Sequence, residues 1–469
     1  MTSLRREAAI FLGLLALTAA LRLPFAGLVH PDEAFFALVG RDWLDGFLPY
    51  VDRFDVKPPG LFLLYALAED LVGPGVAAIK GLEILAVALG AYGLWRIGET
   101  YFSRQVGLAA ALLYPVYMLA MSGVFVPAAL FLNACEIYAV WAALRGGFGL
   151  SGFLFGCAFT LKQSAAVEAA SVFFALLAAA PDARARGVLA LRFALAGAAA
   201  PLAFVGYFAA EGALAPFWSA TVLAAGGRLG GDNVGFIEGL ARLPGGLRPM
   251  LALVAGATLA VLRWRGLSGP ARLVLAWAAG ALVAVVAMRA MYDHYFLPLA
   301  PPLLLLSATV AFDLLDLGAR RAVALAGMGV AALAVPLVFG MSAVREDGED
   351  FRGLAAIEQA ARAAGLRPGA SALVVDRGVR FYLDTGARPA YRVFHPQQLL
   401  CPFPALSGDM LAQALAARPE FVLLADERLG MVCELPERMA LLREKLAADY
   451  TPVGASAGDW DRFELFRRK

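Results

Sequence analysis

Cysteine and histidine are scarce in this chain of 469 residues, which has 4 of the first and 3 of the second. No Cys-x-x-Cys or His-Glu-x-x-His spacing occurs, so zinc-finger, thioredoxin-type and zincin chemistries have no ligands to work with. Charge is sparse too: 17% of residues are charged, and 40 basic against 38 acidic residues leave a net +2. With no polybasic excess and no basic cluster, nucleic acid is excluded as a partner. Whatever chemistry the chain performs must use carboxylates, Lys, Arg and Tyr. What fills the chain is apolar: 61% of residues are hydrophobic and the mean hydropathy is +0.70, far outside the soluble range. The chain is an integral membrane protein.

Apolar runs long enough, or nearly so, to cross a hydrocarbon layer of about 30 Å recur about eleven times. They fall at 8–29, 75–97, 106–121, 124–144, 149–160, 165–180, 188–209, 249–262, 273–288, 295–312 and 322–339, the fifth and eighth being short. Arg5 and Arg6 ahead of the first run imitate a signal peptide, but Arg22 and Pro24 stand where a small-residue cleavage site would be, so this run is read as retained. Basic residues alternate between the loops as they should when they stay in the cytoplasm. Arg5, Arg6, Arg96, Arg104, Arg145, Arg184, Arg186, Arg192, Arg263, Arg265, Arg272, Arg320 and Arg321 all fall on one side. The other side receives an acidic first loop, 29–74, holding Asp32, Glu33, Asp42, Asp45, Asp52, Asp55, Glu69 and Asp70. The N-terminus is therefore expected inside and the C-terminus outside.

Residues 1–344 form the expected membrane domain. From 345 to 469 charges become frequent and long apolar runs stop, which marks a second, soluble domain. Its pattern predicts helices at 351–364, 410–417 and 437–448 and strands at 372–375, 421–424, 451–453 and 463–466, a small α/β layer on the outer face. Cys401 and Cys433 lie in it, and the sequence leaves open whether they are bonded or free. Cys135 and Cys157 fall within apolar runs and read as buried small hydrophobes.

The first loop carries the densest polar pattern: His30-Pro31-Asp32-Glu33, then Asp52-Arg53-Phe54-Asp55-Val56-Lys57-Pro58-Pro59-Gly60. Amphipathic helices along the membrane surface are expected at 33–44 and at 60–68, after the double proline. Adjacent carboxylates raise one another's pKa, and an Asp titrating near neutrality suits removal of a hydroxyl proton. Lys57, stiffened by Pro58-Pro59, is a compact charge able to neutralise a leaving phosphate. The competing reading is an acidic loop that only resists insertion.

Asp32-Glu33 followed by Asp55-Val56-Lys57-Pro58-Pro59 resembles the first-loop signature of GT-C polyprenyl-phosphate-dependent glycosyltransferases. It is most similar to the bacterial branch of lipid A aminoarabinose transferases and protein O-mannosyltransferase-like proteins. Leu161-Lys162-Gln163 resembles a Lys-Gln pair of that family. His294-Tyr295-Phe296-Leu297-Pro298-Leu299-Ala300-Pro301-Pro302 resembles the opening of one of its late spans, and Phe381 to Pro389 a stretch of its outer domain. The resemblance implies a GT-C fold of about eleven transmembrane helices with a small C-terminal α/β periplasmic domain, in a bacterial inner membrane. It implies a sugar donor on undecaprenyl phosphate or a similar carrier, and an acceptor hydroxyl on a glycolipid, polysaccharide or protein, with inversion at the anomeric carbon. By carry-over Asp32 is the general base with Glu33 beside it, and Lys57, Asp55, Lys162, Arg289, His294 and Tyr295 surround the donor phosphate. The loop 122–129 has no carboxylate where many relatives offer one, so no metal and no other cofactor is expected.

Lys80 and Glu83 are expected to pair, since charges in lipid must. Glu136 and Glu168 fit either a polar cavity or a helix–helix hydrogen bond. His395 has no partner pattern and reads as structural. The glycine-rich stretch 211–248, with Arg228 and Arg242, reads as a mobile loop or a lid over bound donor. A transporter or flippase of lipid-linked sugars is the main competing function. It should show paired halves and polar groups at mid-membrane, whereas here polar residues gather at the outer edge. A non-catalytic scaffold would leave the Asp-Glu and Lys-Pro-Pro elements without a purpose.

Overall fold

The structure is a computed structural model. It describes residues 3–121, 127–228, 235–289, 291–315, 334, 338, 352–375, 378–401, 403, 406–425, 436–457 and 462–469.

Among the described residues the first part holds the helices α1 (Ser3–Arg22), α2 (Pro31–Leu44), α3 (Pro59–Val72), α4 (Val76–Tyr101), α5 (Arg104–Ala120), α6 (Pro127–Leu144), α7 (Phe148–Leu161), α8 (Ala165–Ala179), α9 (Ala183–Ala210), α10 (Leu214–Trp218), α11 (Ala225–Arg228), α12 (Phe236–Leu247), α13 (Leu251–Leu262), α14 (Gly269–Ala287) and α15 (Ala300–Leu315). Helices α1, α4 to α9 and α13 to α15 stand on ten of the expected spans. The eleventh, 322–339, lies outside the described residues except for Ala334 and Val338. Among the described residues, six helical segments are long and apolar enough to cross a membrane unaided. Helices α7 and α8, of 14 and 15 residues, reach only about 21 to 23 Å.

Close helix crossings depend on small residues. On α7, a Cβ added to Gly152 would run into the Phe193 carbonyl of α9, and one on Gly156 into the Gly197 carbonyl. This small-x-x-x-small face lets the two backbones touch where apolar burial gives no drive, because lipid is as apolar as the helix. Gly152→Val should destabilise the protein by about 1–3 kcal/mol or more, as overpacking does. It would be read as a lower unfolding temperature in detergent; a variant as stable as wild type would show that the crossing is not backbone-limited.

Both first-loop helices form, for reasons local to the sequence. Helix α2 starts at a reciprocal cap: the Asp32 N–H donates to His30 Nδ1 at 3.1 Å, and the His30 N–H donates to Glu33 Oε2 at 3.3 Å. Pro31 fills the first turn, where its missing N–H costs nothing. Helix α3 starts from Pro58-Pro59 in the same way. The expectation of an amphipathic helix needs correction for α2, because Ala34 to Gly40 are all buried. They pack against α3 on one side and the C-terminal domain on the other, with Phe35 and Phe394 ring centroids 4.5 Å apart.

The glycine-rich stretch 211–248 is not a plain loop. A single π-turn (Ser219–Ala224) joins α10 to α11, and α12 runs on into α13 as one segment from Phe236 to Leu262. Residues 229–234 lie outside the described residues. Glycines there serve close approach: a Cβ on Gly239 would come within 2.7 Å of the Arg289 carbonyl, and one on Gly246 would strike the Phe296 ring.

The C-terminal part is a five-stranded sheet of order β2-β1-β3-β5-β4, with β1 (Ser371–Val375), β2 (Arg388–Pro389), β3 (Phe421–Ala425), β4 (Tyr450–Ala457) and β5 (Arg462–Arg468). β1 pairs parallel with β2 and β3, while β5 pairs antiparallel with β3 and β4. β1 and β3 are short apolar runs covered by helices, so their side chains are buried on both faces. The helices Arg352–Ala363, Met410–Ala416 and Pro436–Asp449 match the expected ones within a residue or two. Two short helices between β1 and β3, Arg380–Thr385 and Pro396–Leu400, were not expected from the pattern. Cys401 is disulfide-bonded, and Cys433 lies outside the described residues. Cys135 and Cys157 are free and half-buried in α6 and α7.

Candidate active site

The stretch between β1 and β3 docks on the first loop. The Arg380 guanidinium donates to the Gly27 carbonyl, and Arg388 pairs with Asp45 at 2.7 Å. The Phe54 N–H donates to the Arg392 carbonyl at 2.9 Å. Within the loop, Arg53 pairs with Asp42, and Arg41 grips Glu69 through two hydrogen bonds of 2.9 Å. The loop is thereby a rigid wall.

On that wall the two adjacent carboxylates part company. Asp32 stays one-third exposed and has His395 Nε2 3.4 Å from its Oδ1. Partial burial opposes its ionisation, but the hydrogen bond to His395 and the nearby His30, His395 and Lys57 outweigh that and hold its carboxyl well below the usual range. This corrects the expectation that Asp32 and Glu33 raise one another: Asp32 answers to the His395 hydrogen bond and Lys57, while Glu33 is turned away toward Lys80 and Glu83. Glu33 turns inward and is fully buried. Burial and the adjacent Glu83 push its carboxyl well above the usual range, with Lys80 working against them.

Glu33 belongs to a buried network. Lys80 Nζ is 2.9 Å from Glu33 and 3.3 Å from Glu83, and Arg22 Nη1 is 3.6 Å from Glu83. The expected Lys80–Glu83 pair exists, then, but Lys80 is closer to Glu33 and ties α4 to the start of α2. Glu33 is thus an anchor beneath Asp32.

Asp55 is buried and holds neither Lys57 nor open space. Its Oδ1 accepts from the Val56 N–H at 2.5 Å and from Gln398 Nε2 at 3.1 Å. The Lys57 backbone is fixed by Tyr50, whose hydroxyl donates to the Lys57 carbonyl at 2.8 Å. Its ammonium has no carboxylate partner among the described residues. Lys162 caps the C-terminus of α7, buried, with Nζ 4.7 Å from the Tyr295 ring centroid and likewise no carboxylate partner among the described residues. Burial and the neighbouring Lys57 push the Lys162 ammonium down to about 8, against Glu168 and Glu136. Gln163, the next residue, donates to the Val56 carbonyl at 3.0 Å and the Thr221 carbonyl at 3.3 Å.

His294 stacks on Tyr292 and meets Tyr295 edge-on, with centroids 5.7 and 4.5 Å away. The charges of Lys162, Asp32, Lys57 and His30 all act on its ring. The structure therefore brings Asp32, Lys57, Lys162, His294 and Tyr295 together. Arg289 sits at a left-handed turn (φ 53°), half-buried and against Gly239, with no side-chain hydrogen bond or ion pair to the others among the described residues. Glu168 accepts from Trp277 Nε1 at 3.1 Å across α8 and α14, a helix–helix hydrogen bond. No three His, Cys, Asp or Glu side chains converge as metal ligands among the described residues. Sequence reasoning missed His395 and Gln398, both far along the chain from their partners. One signal was available: of only three histidines, two stand in a His-Pro step at a helix start, and all three lie around Asp32.

Helices α1 to α15 with their first-loop wall and sheet domain have the GT-C fold of membrane glycosyltransferases. Residues 56–208 match the family described as dolichyl-phosphate-mannose-protein mannosyltransferase. Among solved structures the chain is similar to ArnT from Cupriavidus metallidurans bound to undecaprenyl phosphate, with TM-score 0.63 and 17% identity over 99% of this chain and 97% of that one. It is also similar to the oligosaccharyltransferase AglB from Archaeoglobus fulgidus, with TM-score 0.53 and 11% identity over 89% and 69%. The arabinofuranosyltransferase AftD from Mycobacteria gives TM-score 0.53 and 16% identity, covering 100% of this chain and 40% of that one. None of the curated proteins matches the chain in sequence.

Proposed function

We propose that the chain transfers a sugar from a polyprenyl-phosphate carrier to an acceptor hydroxyl at the outer face of a bacterial inner membrane. The observation that carries this is the Asp32 carboxylate beside Lys57, with Lys162 next to Lys57 in turn, neither ammonium making a carboxylate ion pair among the described residues. Such an arrangement fits a group bearing a phosphate on one side and a hydroxyl to be deprotonated on the other. The ArnT structure with undecaprenyl phosphate supports a lipid-phosphate ligand for this fold.

In the proposed step the acceptor oxygen attacks the anomeric carbon while its proton passes to Asp32. The bond from that carbon to the phosphate oxygen breaks, and its electron pair stays on the departing polyprenyl phosphate. Lys57 and Lys162 balance the charge gained there. A single displacement inverts the anomeric centre. Because the His395 hydrogen bond and the nearby Lys57 keep Asp32 a weak base, proton transfer comes late, when the forming bond has made the hydroxyl acidic. The acceptor, whether glycolipid, polysaccharide or protein, enters beside the first loop. No metal is assigned, since no three His, Cys, Asp or Glu side chains converge as ligands among the described residues.

Labelled polyprenyl-phosphate sugars and an envelope acceptor extract, supplied to the protein in proteoliposomes, test this reading. Label reaching an acceptor, with EDTA changing the rate by less than about twofold, is the expected result. Label crossing the bilayer with no transfer would overturn it in favour of a flippase.

Lys162 adds a pH signature. Its free ammonium is lost as pH rises through about 8, so donor KM should stay flat below about pH 7 and climb toward tenfold per unit above about 9. Lys162→Arg, which keeps its charge, should flatten the climb. A flat wild-type profile would remove Lys162 from the phosphate site.

A further inference from the structure

Two of the three histidines of the chain are hydrogen-bonded to Asp32, and the third lies within range of its charge. His30 accepts the backbone N–H of Asp32, His294 lies within reach of its charge, and His395 faces its Oδ1. His395 differs from the others in arriving from the sheet domain, 363 residues away in sequence. A hydrogen bond to an ionised carboxylate requires the proton on Nε2. Nδ1 is then bare, and it is buried with no partner among the described residues. Asp32 is thus the one polar partner of this imidazole among the described residues. The ring is held edge-on against Phe35, centroids 5.1 Å apart, and Phe394 packs on the same Phe35.

Three residues on, Gln398 repeats the arrangement. It is buried, its Nε2 donates to Asp55 Oδ1 at 3.1 Å, and its Oε1 has no partner among the described residues. Residues three apart lie on one face of a helix. One turn, at Pro396–Leu400, therefore offers one donor to each of the two first-loop carboxylates that flank the proposed site. The segment is anchored there independently, since Phe54 bonds the Arg392 carbonyl and Arg392 Nη2 donates to the Tyr50 carbonyl at 3.2 Å.

We propose that His395 and Gln398 form a positioning clamp through which the sheet domain completes the active site. By occupying Asp32 Oδ1, His395 fixes the carboxylate plane and leaves Oδ2 for the acceptor hydroxyl. Gln398 fixes Asp55 and with it the backbone leading into Lys57. His395 is a positioning residue, acting through Asp32. This inference deepens the sugar-transfer reading and rests on it for the role of Asp32.

The test uses full-length protein in proteoliposomes with His395→Phe, which keeps the packing on Phe35 and removes the donor, beside His395→Gln, which keeps an N–H. His395→Phe should lower kcat by roughly 10- to 100-fold, with KM for donor and acceptor within about threefold, since misplacement by about an ångström costs that much. His395→Gln should recover most of the loss. Added to Asp32→Asn, the His395→Phe change should cost almost nothing more, as expected of groups acting as a unit. A full additive loss, or no rescue by Gln, would overturn the clamp. Hydrogen exchange over residues 28–37 gives a readout that needs no turnover: protection should fall in His395→Phe and hold in His395→Gln. Unchanged exchange in His395→Phe overturns the clamp, whereas absence of transfer by wild type with the exchange change intact overturns only the sugar-transfer reading.

Discussion

Replacing Asp32 with asparagine should reduce sugar transfer by about 10²- to 10⁴-fold, the range that a general base contributes. Asparagine keeps the shape of the side chain, and its carbonyl oxygen still accepts from His395, so the wall around it should stay in place. Only the capacity to take a proton is lost. The fall should therefore appear in kcat, about 3 to 5.5 kcal/mol of barrier, with donor KM within about threefold. Asp32→Glu should retain part of the activity by moving the same chemistry outward by one methylene. Transfer above about a tenth of wild type in Asp32→Asn would show that the proton goes elsewhere, and the proposed step would fail.

The second large effect concerns Lys80, which touches no substrate. It is the cation between two buried carboxylates, Glu33 and Glu83, with Arg22 also paired to Glu83 among the described residues. Lys80→Met keeps the length and apolar bulk of the side chain but leaves those carboxylates facing one another in a dry environment. Breaking a buried pair from one side typically costs about 3–5 kcal/mol, which would lower the unfolding temperature in detergent on the order of 5 °C. Adding Glu33→Gln should restore much of that, because the charge Lys80 leaves unpaired is removed with it. A Lys80→Met protein melting within about a degree of wild type would show that the network adds little. Any transfer still lost in such a protein would then reflect the placement of Asp32, one residue from Glu33.

The legible parts of this fold are those whose reasons are local. The Pro58-Pro59 step announces α3, the His30 to Glu33 pattern carries its own helix cap, and the apolar runs at 372–375 and 421–424 were read as strands because nothing else buries so short a run. β2, two residues long, has no pattern to read. The glycines of 211–248 suggested mobility because sequence does not reveal what a missing Cβ makes room for; at Gly239 and Gly246 it is a neighbouring backbone and a ring. The site divides the same way. Asp32, Lys57 and Lys162 stand in short motifs, Asp32-Glu33, Lys57-Pro58-Pro59 and Lys162-Gln163, that are visible along the chain. Arg289 was named with them and stands apart. The opposite fates of Asp32 and Glu33 were not legible, since they depend on which of two adjacent side chains the α2 cap turns toward Lys80. His395 and Gln398 were hidden by distance along the chain.

Gly60 has its Cα where a Cβ would press to within 2.7 Å of the Thr160 carbonyl. Lys57 lies three residues before this contact on one strand of the chain and Lys162 two residues after it on the other. The Thr160 hydroxyl and Cβ crowd the same point, so both the backbone and a short side chain close the gap. The two lysines proposed to hold the donor phosphate are thus carried on segments that meet where a methyl group is missing. A larger residue at position 60 should push these segments apart, and with them the two ammonium groups, before it alters any group proposed to react.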